Sequence, residues 1–314
     1  MGGPKEQPVV VAVVGPTATG KSDLALHLAE ELGGEVVNAD ASQLYRGMDI
    51  GTAKLPPEQR RCIPHHQLDV LEVTEEASVA AYQQAARADL ADILARGLHP
   101  VVTGGSGLYV RAALDRLEIP PTDPEVRRRL EAEAETVGTP AMFERLRESD
   151  PVAADAIEPG NTRRIVRALE VIELTGRPFS ATMPSREYLS PTVALGLDVP
   201  RPVLDERIEE RVRRMWRDGL LDEVRGLEQV GLREGRTASR AIGYAQALAE
   251  LDGALTEEEA QRQTAALTRR LARRQQSWFR PDPRVTWLDP RVDDVVARAV
   301  DVVRGAISEN ERHG

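Results

Sequence analysis

Cysteine is almost absent from this chain: Cys62 is the only one among 314 residues. No internal disulfide can form, and a lone thiol suits a reducing cytoplasm, the compartment expected here. Long apolar runs are missing too. Nothing approaches the roughly 20 residues of a membrane span. The run Val9–Val14 is too short, in surroundings too acidic, to act as a signal peptide. There is no internal repeat and no low-complexity tract. Zinc spacing is lacking as well: His65 and His66 with Asp69 invite a metal, but adjacent histidines rarely ligate one ion. Positive charge is in deficit, with 41 Lys and Arg against 51 Asp and Glu and a net charge of −10. Taken alone, that balance speaks against a nucleic-acid partner.

What is present is 41% hydrophobic and 29% charged, a globular composition with room for one large or two modest domains. A monomer is expected. The charges are unevenly spread. Between Arg262 and Arg284 there are seven arginines and one acid, Asp282. Arg127–Arg129, Arg163 and Arg164 with Arg167, and Arg211 to Arg214 form further clusters. Such patches on an acidic body fit a polyanion bound on one face, and each taken singly fits an ordinary solvated helix.

The most informative stretch follows the first apolar run. Gly15, Pro16, Thr17, Ala18, Thr19, Gly20, Lys21 and Ser22 fit G-x-x-x-x-G-K-[ST], and the next residues have helical spacing. Strand, glycine loop and helix occur in the order a phosphate cradle needs. Backbone N–H groups converge on phosphate oxygens at a helix start, Lys21 adds charge, and the Ser22 hydroxyl is the expected Mg²⁺ ligand. A phosphate or diphosphate is expected here.

The order of elements implies an α/β fold, a parallel sheet core of the P-loop type flanked by helices. Residues 1–8 read as a disordered lead-in, Glu35–Ala39 as a second strand and Gln67–Leu71 as a short one. Asp40 falls at a strand tip, facing the phosphate loop as ligand-binding groups do in open α/β sheets. It could serve as a Mg²⁺ ligand, a general base or a helix N-cap. Ser78–Arg96 reads as a helix, and His99–Thr103 as a strand opening into a second glycine-rich turn, Thr103–Tyr109. That turn suits either tight packing or a ligand. From Pro124 to Leu174 the pattern is helical, and Val193–Val199 returns to strand. Residues 122–192 therefore read as an all-helical insertion in a core made of 1–121 and 193–314. Helices are expected around 201–217, 221–230, 239–252 and 256–279, then a strand over 284–288 and a terminal helix.

Several blocks taken in order resemble the bacterial tRNA dimethylallyltransferases. They are Gly15–Ser22, Asp40–Lys54 (with Gln43 and Tyr45), Thr103–Tyr109, Asn161–Glu170, Ala241–Tyr244 and Arg273–Arg280. Ala41 stands where the family often has serine, and Ser106 where threonine is common. The resemblance implies transfer of a dimethylallyl group from dimethylallyl diphosphate to N6 of the adenosine 3′ of the anticodon, with Mg²⁺ required. It makes Asp40 the general base and brings Arg211 to the diphosphate with Thr17. Without it, Arg211 reads as an i,i+4 partner on a helix surface. The anticodon stem-loop would meet Asp40, Ala41, Ser42, Gln43 and Ser106, then Arg127, Arg163, Arg164 and Arg167, then Arg240, Gly243, Tyr244, Arg273, Arg274, Gln275, Trp278 and Arg280. N6 is unreachable in a stacked loop, so the base must flip out.

The main rival is a P-loop small-molecule kinase, with Asp40 deprotonating an acceptor hydroxyl. An RNA-binding NTPase is a second. An adenylate prenyltransferase is a third, and the basic patches and insertion count against it, since a mononucleotide needs neither.

Overall fold

The computed structural model describes residues 8–182, 186–291 and 294–313. All but Pro8 of the expected lead-in lies outside them. The chain divides into two units, Met1–Leu114 with Tyr188–Gly314, and Asp115–Glu187. The helical unit thus starts and ends a few residues earlier than the proline-rich joints suggested.

The larger unit is built on a six-stranded, all-parallel sheet. Its strands are β1 (Val10–Val14), β2 (Gly34–Asn38), β3 (His65–His66), β4 (His99–Gly104), β5 (Thr192–Leu197) and β6 (Val285–Leu288). They lie in the order β3-β2-β4-β1-β5-β6. All five residues of β1 are buried, the reason its valines do not alternate with polar residues. α1 (Lys21–Leu32) follows β1, α2 (Val79–Ala95) precedes β4, and α3 (Gly107–Leu114) leaves it. Ser78 caps α2 by accepting from the Ala81 N–H. The expected strand at Gln67–Leu71 does not form. Gln67 and Asp69 have positive φ, at 59° and 57°, and β3 occupies the two residues before them.

In the helical unit lie α4 (Pro124–Val137), α5 (Thr139–Ser149), α6 (Pro151–Ala156) and α7 (Thr162–Thr175). Asp123, Asp150 and Asn161 cap α4, α6 and α7. Leu130, Met142, Leu146, Ile165 and Leu169 form its own core. In the larger unit α8 (Arg201–Arg217), α9 (Leu220–Glu228), α10 (Tyr244–Leu251) and α11 (Glu257–Phe279) follow β5. They enclose a core around Met48, Trp216, Leu220 and Tyr244. α12 (Val295–His313) lays Val300, Val303 and Ile307 beside Leu24 and Leu28 of α1 in the core that includes β1. α10 starts later than its periodicity suggested: Gly243 has φ 94°, which separates it from the 3-10 turn at Ala238–Arg240.

Candidate active site

The phosphate loop leaves the carboxyl end of β1 through Gly15, whose φ of 130° favours glycine. A Cβ there would lie 3.3 Å from the Leu197 carbonyl oxygen. Gly20, at φ 95°, turns the chain into α1. Within the loop the Thr19 hydroxyl donates to the Pro16 carbonyl at 2.9 Å, and the Lys21 ammonium donates to the same oxygen at 2.6 Å. Burial lowers the Lys21 ammonium to about 8; Asp40 opposes this fall and Arg211 adds to it. These cations share one site and are under-compensated, an environment that an anion relieves.

Asp40 sits just past β2. Its N–H donates to Asn38 Oδ1 at 3.0 Å, and its own Oδ1 accepts from the Ser42 N–H at 3.0 Å, so it caps the 3-10 turn Ala41–Leu44. Asn38 Nδ2 in turn donates to the carbonyls of Asp40 and Gln67. Of the three roles open to Asp40, capping is therefore filled by one carboxylate oxygen. Capping does not exclude chemistry at the other.

Arg211 projects from α8. Its Nη2 donates to the Thr52 carbonyl at 3.2 Å. Burial pulls its guanidinium below the ordinary value, Asp40 pushes it back, and Arg214 deepens the fall. Thr17, Asp40, Arg211 and Gln275 line one cleft, partly open to solvent, together with Ile208, Val212, Met215, Ile242 and Leu271. Polar groups suited to an anion and a wall of apolar side chains thus meet in one cavity.

Some residues assigned to RNA by resemblance have internal roles. Gln275 is buried, and its Oε1 accepts from the Thr17 N–H at 2.9 Å, latching α11 to the phosphate loop. Tyr244 has 0% exposure and donates to Glu223 at 2.6 Å, so it cannot stack on a base. Gly243 is buried in the turn before it. Arg127 and Arg167 are both ion-paired to Glu170, whose side chain is 0% exposed, and Arg167 also donates to the Pro120 and Pro121 carbonyls. Arg280 pairs with Asp198 at 2.9 Å and lies over the Trp287 ring. Ser106 Oγ accepts from the Ala41 N–H. The second glycine-rich turn is a packing device in large part: a Cβ on Gly105 would collide with the Gln275 amide, and one on Gly107 with the Trp278 ring.

The remaining assignments are accessible. Ala41, Ser42 and Gln43 are half-buried, Ser42 lining the cleft, and Gln43 Nε2 donates to the Thr52 carbonyl at 3.2 Å. Arg240, Arg273, Arg274 and Trp278 are exposed on the larger unit, and Arg163 and Arg164 on the helical one. His66, far from acting as a metal ligand, bonds Glu35 at 2.7 Å and faces Asp89. Among the described residues no group of three or more His, Cys, Asp or Glu could hold a metal ion. Sequence reading missed Thr52, Glu223, Thr264 and the apolar wall. The spacing of Thr264, Thr268, Leu271 and Gln275, all on one face of α11, was the signal available for one side of the cleft.

An IPP transferase family model matches residues 43–282, and an isopentenyl transferase model matches residues 8–62. A tRNA dimethylallyltransferase of Streptomyces avermitilis is 62% identical over 288 residues, covering 92% of each chain. One of Kineococcus radiotolerans is 63% identical over 285 residues, covering 89% of this chain and 90% of its own. The solved tRNA isopentenylpyrophosphate transferase of Bacillus halodurans superposes with a TM-score of 0.71 at 39% identity, covering 97% of this chain and 98% of its own. A eukaryotic dimethylallyltransferase acting on tRNA gives a TM-score of 0.82 at 26% identity, over 96% of this chain and 80% of its own. With a family model spanning most of its length and relatives this similar along nearly all of it, the chain belongs to the IPP transferase family.

Proposed function

We infer that this protein transfers a dimethylallyl group from dimethylallyl diphosphate to N6 of the tRNA adenosine 3′-adjacent to the anticodon, releasing diphosphate. The observation that carries this reading is the union of Thr17 of the phosphate loop, the Arg211 guanidinium, the Asp40 carboxylate and an apolar wall in one cleft. A five-carbon tail has use for Ile208, Val212 and Leu271; a kinase acceptor hydroxyl does not. The named relatives are prenyl transferases, and nothing favours the kinase reading.

The aromatic N6 amine is a weak nucleophile, while an allylic carbon ionises readily once its leaving group is stabilised. The loop N–H groups, Lys21, Thr17 and Arg211 would hold the departing diphosphate as the C–O bond breaks. The N6 lone pair forms the new C–N bond, and the N6 proton passes to Asp40. The exposed Ser22 hydroxyl would help to hold Mg²⁺, since among the described residues there is no carboxylate cage for it. When bound it would neutralise charge on the leaving group. RNA would bind through Arg240, Arg273, Arg274 and Trp278, and through Arg163 and Arg164 of the helical unit, leaving Ser42 and Gln43 for the edge of the flipped base. No helix among the described residues is long and apolar enough to cross a membrane. The protein would act as a monomer in the cytoplasm, where its tRNA substrate is found.

Mass spectrometry of anticodon-loop fragments tests the reading, after incubation of tRNA with Mg²⁺ and dimethylallyl diphosphate. One added C5H8 unit on that adenosine, lost with Asp40→Ala, is the expected result. Unmodified tRNA with the wild-type enzyme would overturn it.

A further inference from the structure

Glu223, on α9, reaches the loop that carries Thr52. Its Oε2 accepts from the Ile50 N–H at 2.7 Å and the Asp49 N–H at 3.1 Å, and its Oε1 from the Gly51 N–H at 3.4 Å. The Tyr244 hydroxyl donates to the same Oε1 at 2.6 Å. The loop lies directly on the Tyr244 ring, for a Cβ on Gly51 would come within 2.7 Å of its Cζ. Burial, and then Glu223 itself, hold the Tyr244 phenol well above its ordinary value, so it remains a donor. On the loop's other side Lys54, almost wholly buried, donates to Asp49, Asp69 and the Tyr45 carbonyl. Clamped from both sides, the loop turns Gly51 and Thr52 into the cleft.

The consequence falls on Arg211. Among the described residues the Thr52 carbonyl is its one hydrogen-bond acceptor. A long side chain with one anchor keeps several rotamers unless that anchor is itself immobile. The anchor here is a backbone carbonyl two peptide units from the nearest of the N–H groups that Glu223 holds.

We propose that Glu223 and Tyr244 are positioning residues for the transfer reaction, acting through the loop 49–52 to aim the Arg211 guanidinium at the diphosphate. The proposal rests on the function inferred above. Neither side chain touches substrate. Glu223→Gln leaves the volume unchanged but keeps one acceptor oxygen where there were two, setting its NH2 against the Gly51 N–H and the Tyr244 hydroxyl if the oxygen stays on Asp49 and Ile50. Tyr244→Phe removes a single hydroxyl and keeps the ring under Gly51.

A double-mutant cycle between Glu223→Gln and Arg211→Lys tests it, read as kcat and as the affinity for inorganic diphosphate by calorimetry, with Tm alongside. Glu223→Gln is expected to lower kcat about tenfold in the wild-type background and less than threefold beside Arg211→Lys. Diphosphate affinity should follow the same pattern. Tyr244→Phe should lower kcat severalfold while Tm stays within a few degrees, which keeps the test alive if Glu223→Gln folds poorly. Equal losses in both backgrounds, or a lowered Tm with kcat and diphosphate affinity unchanged in both variants, would overturn the proposal. The calorimetric arm needs no prenyl transfer, so it judges the clamp even if the wild-type enzyme proves to make no modified tRNA.

Discussion

At the scale of single residues the phosphate loop and its surroundings hold cations short of anions. Lys21 is the sharpest case. Its ammonium is lowered to about 8, chiefly by burial. A bound diphosphate restores the missing negative charge and raises that value again, so binding takes up a proton wherever the free protein has lost it. Affinity for diphosphate is therefore expected to be level, as far as this group decides it, below about pH 8. Above that it should fall by up to tenfold per pH unit until the raised value in the complex is passed. Calorimetry across pH 6.5 to 9.5 in buffers of different ionisation enthalpy would read both the affinity and the proton. Replacing Lys21 by Met should remove this group's share of the slope along with most of the affinity. For Asp40→Ala the expectation is a rate loss of roughly 10²–10⁴-fold, measured as single-turnover transfer with saturating tRNA, with Tm lowered only by the lost cap on the turn Ala41–Leu44. Lys21 was legible in the sequence, because the phosphate motif fixes its residues by local backbone geometry; the position of Asp40 was legible as a strand tip, while its role as base came only from the resemblance. Gln275 and Tyr244 were not legible. Each lies in a block that also holds exposed arginines, and which neighbour turns inward depends on the phase of a helix against its core.

Among the elements, the helical unit has its own electrostatic keystone. Burial by itself would raise Glu170, yet Arg127, Arg167, the Thr122 hydroxyl and the Asp123 N–H bring its carboxyl down to about 2. A carboxylate depressed in the folded state contributes stability that is present above its unfolded value, near 4.5, and is lost as pH falls through the folded value. Acid should therefore loosen α4 and α7 between about pH 4.5 and 2. Hydrogen exchange on the full chain, followed helix by helix, would detect it. Glu170→Ala leaves two half-buried guanidinium groups without their carboxylate and should cost the unit about 1–3 kcal/mol at neutral pH. An unchanged exchange pattern would refute this. Most helix positions were readable from apolar period and caps, since Ser78, Asp123 and Asn161 each announce a start. The failure at β3 has a physical source: a two-residue strand carries no period, and the left-handed residues after it leave no composition signal.

For the whole molecule the question is how a chain of net charge −10 holds a polyanion. The answer lies in which cations are already spent. Arg96, Arg127, Arg167 and Arg284 have carboxylate partners within 2.7 Å and stabilise the protein's own acids. Arg273 and Arg274, by contrast, are exposed on α11 with no carboxylate partner among the described residues, beside a Trp278 that is 42% exposed. Only cations left unpaired can exchange their counterions for phosphates, so total charge understates the affinity that a local patch supplies. Replacing Arg273 and Arg274 together by Ala should weaken tRNA binding. It should also make the plot of log affinity against log salt shallower by about 0.7 for each phosphate no longer neutralised, with diphosphate affinity and Tm unaltered. Arg127→Ala should act the other way round, lowering the stability of the helical unit first. If both variants changed the salt slope equally, the division between spent and free arginines would be wrong, and RNA affinity would have to come from the summed field of the protein instead.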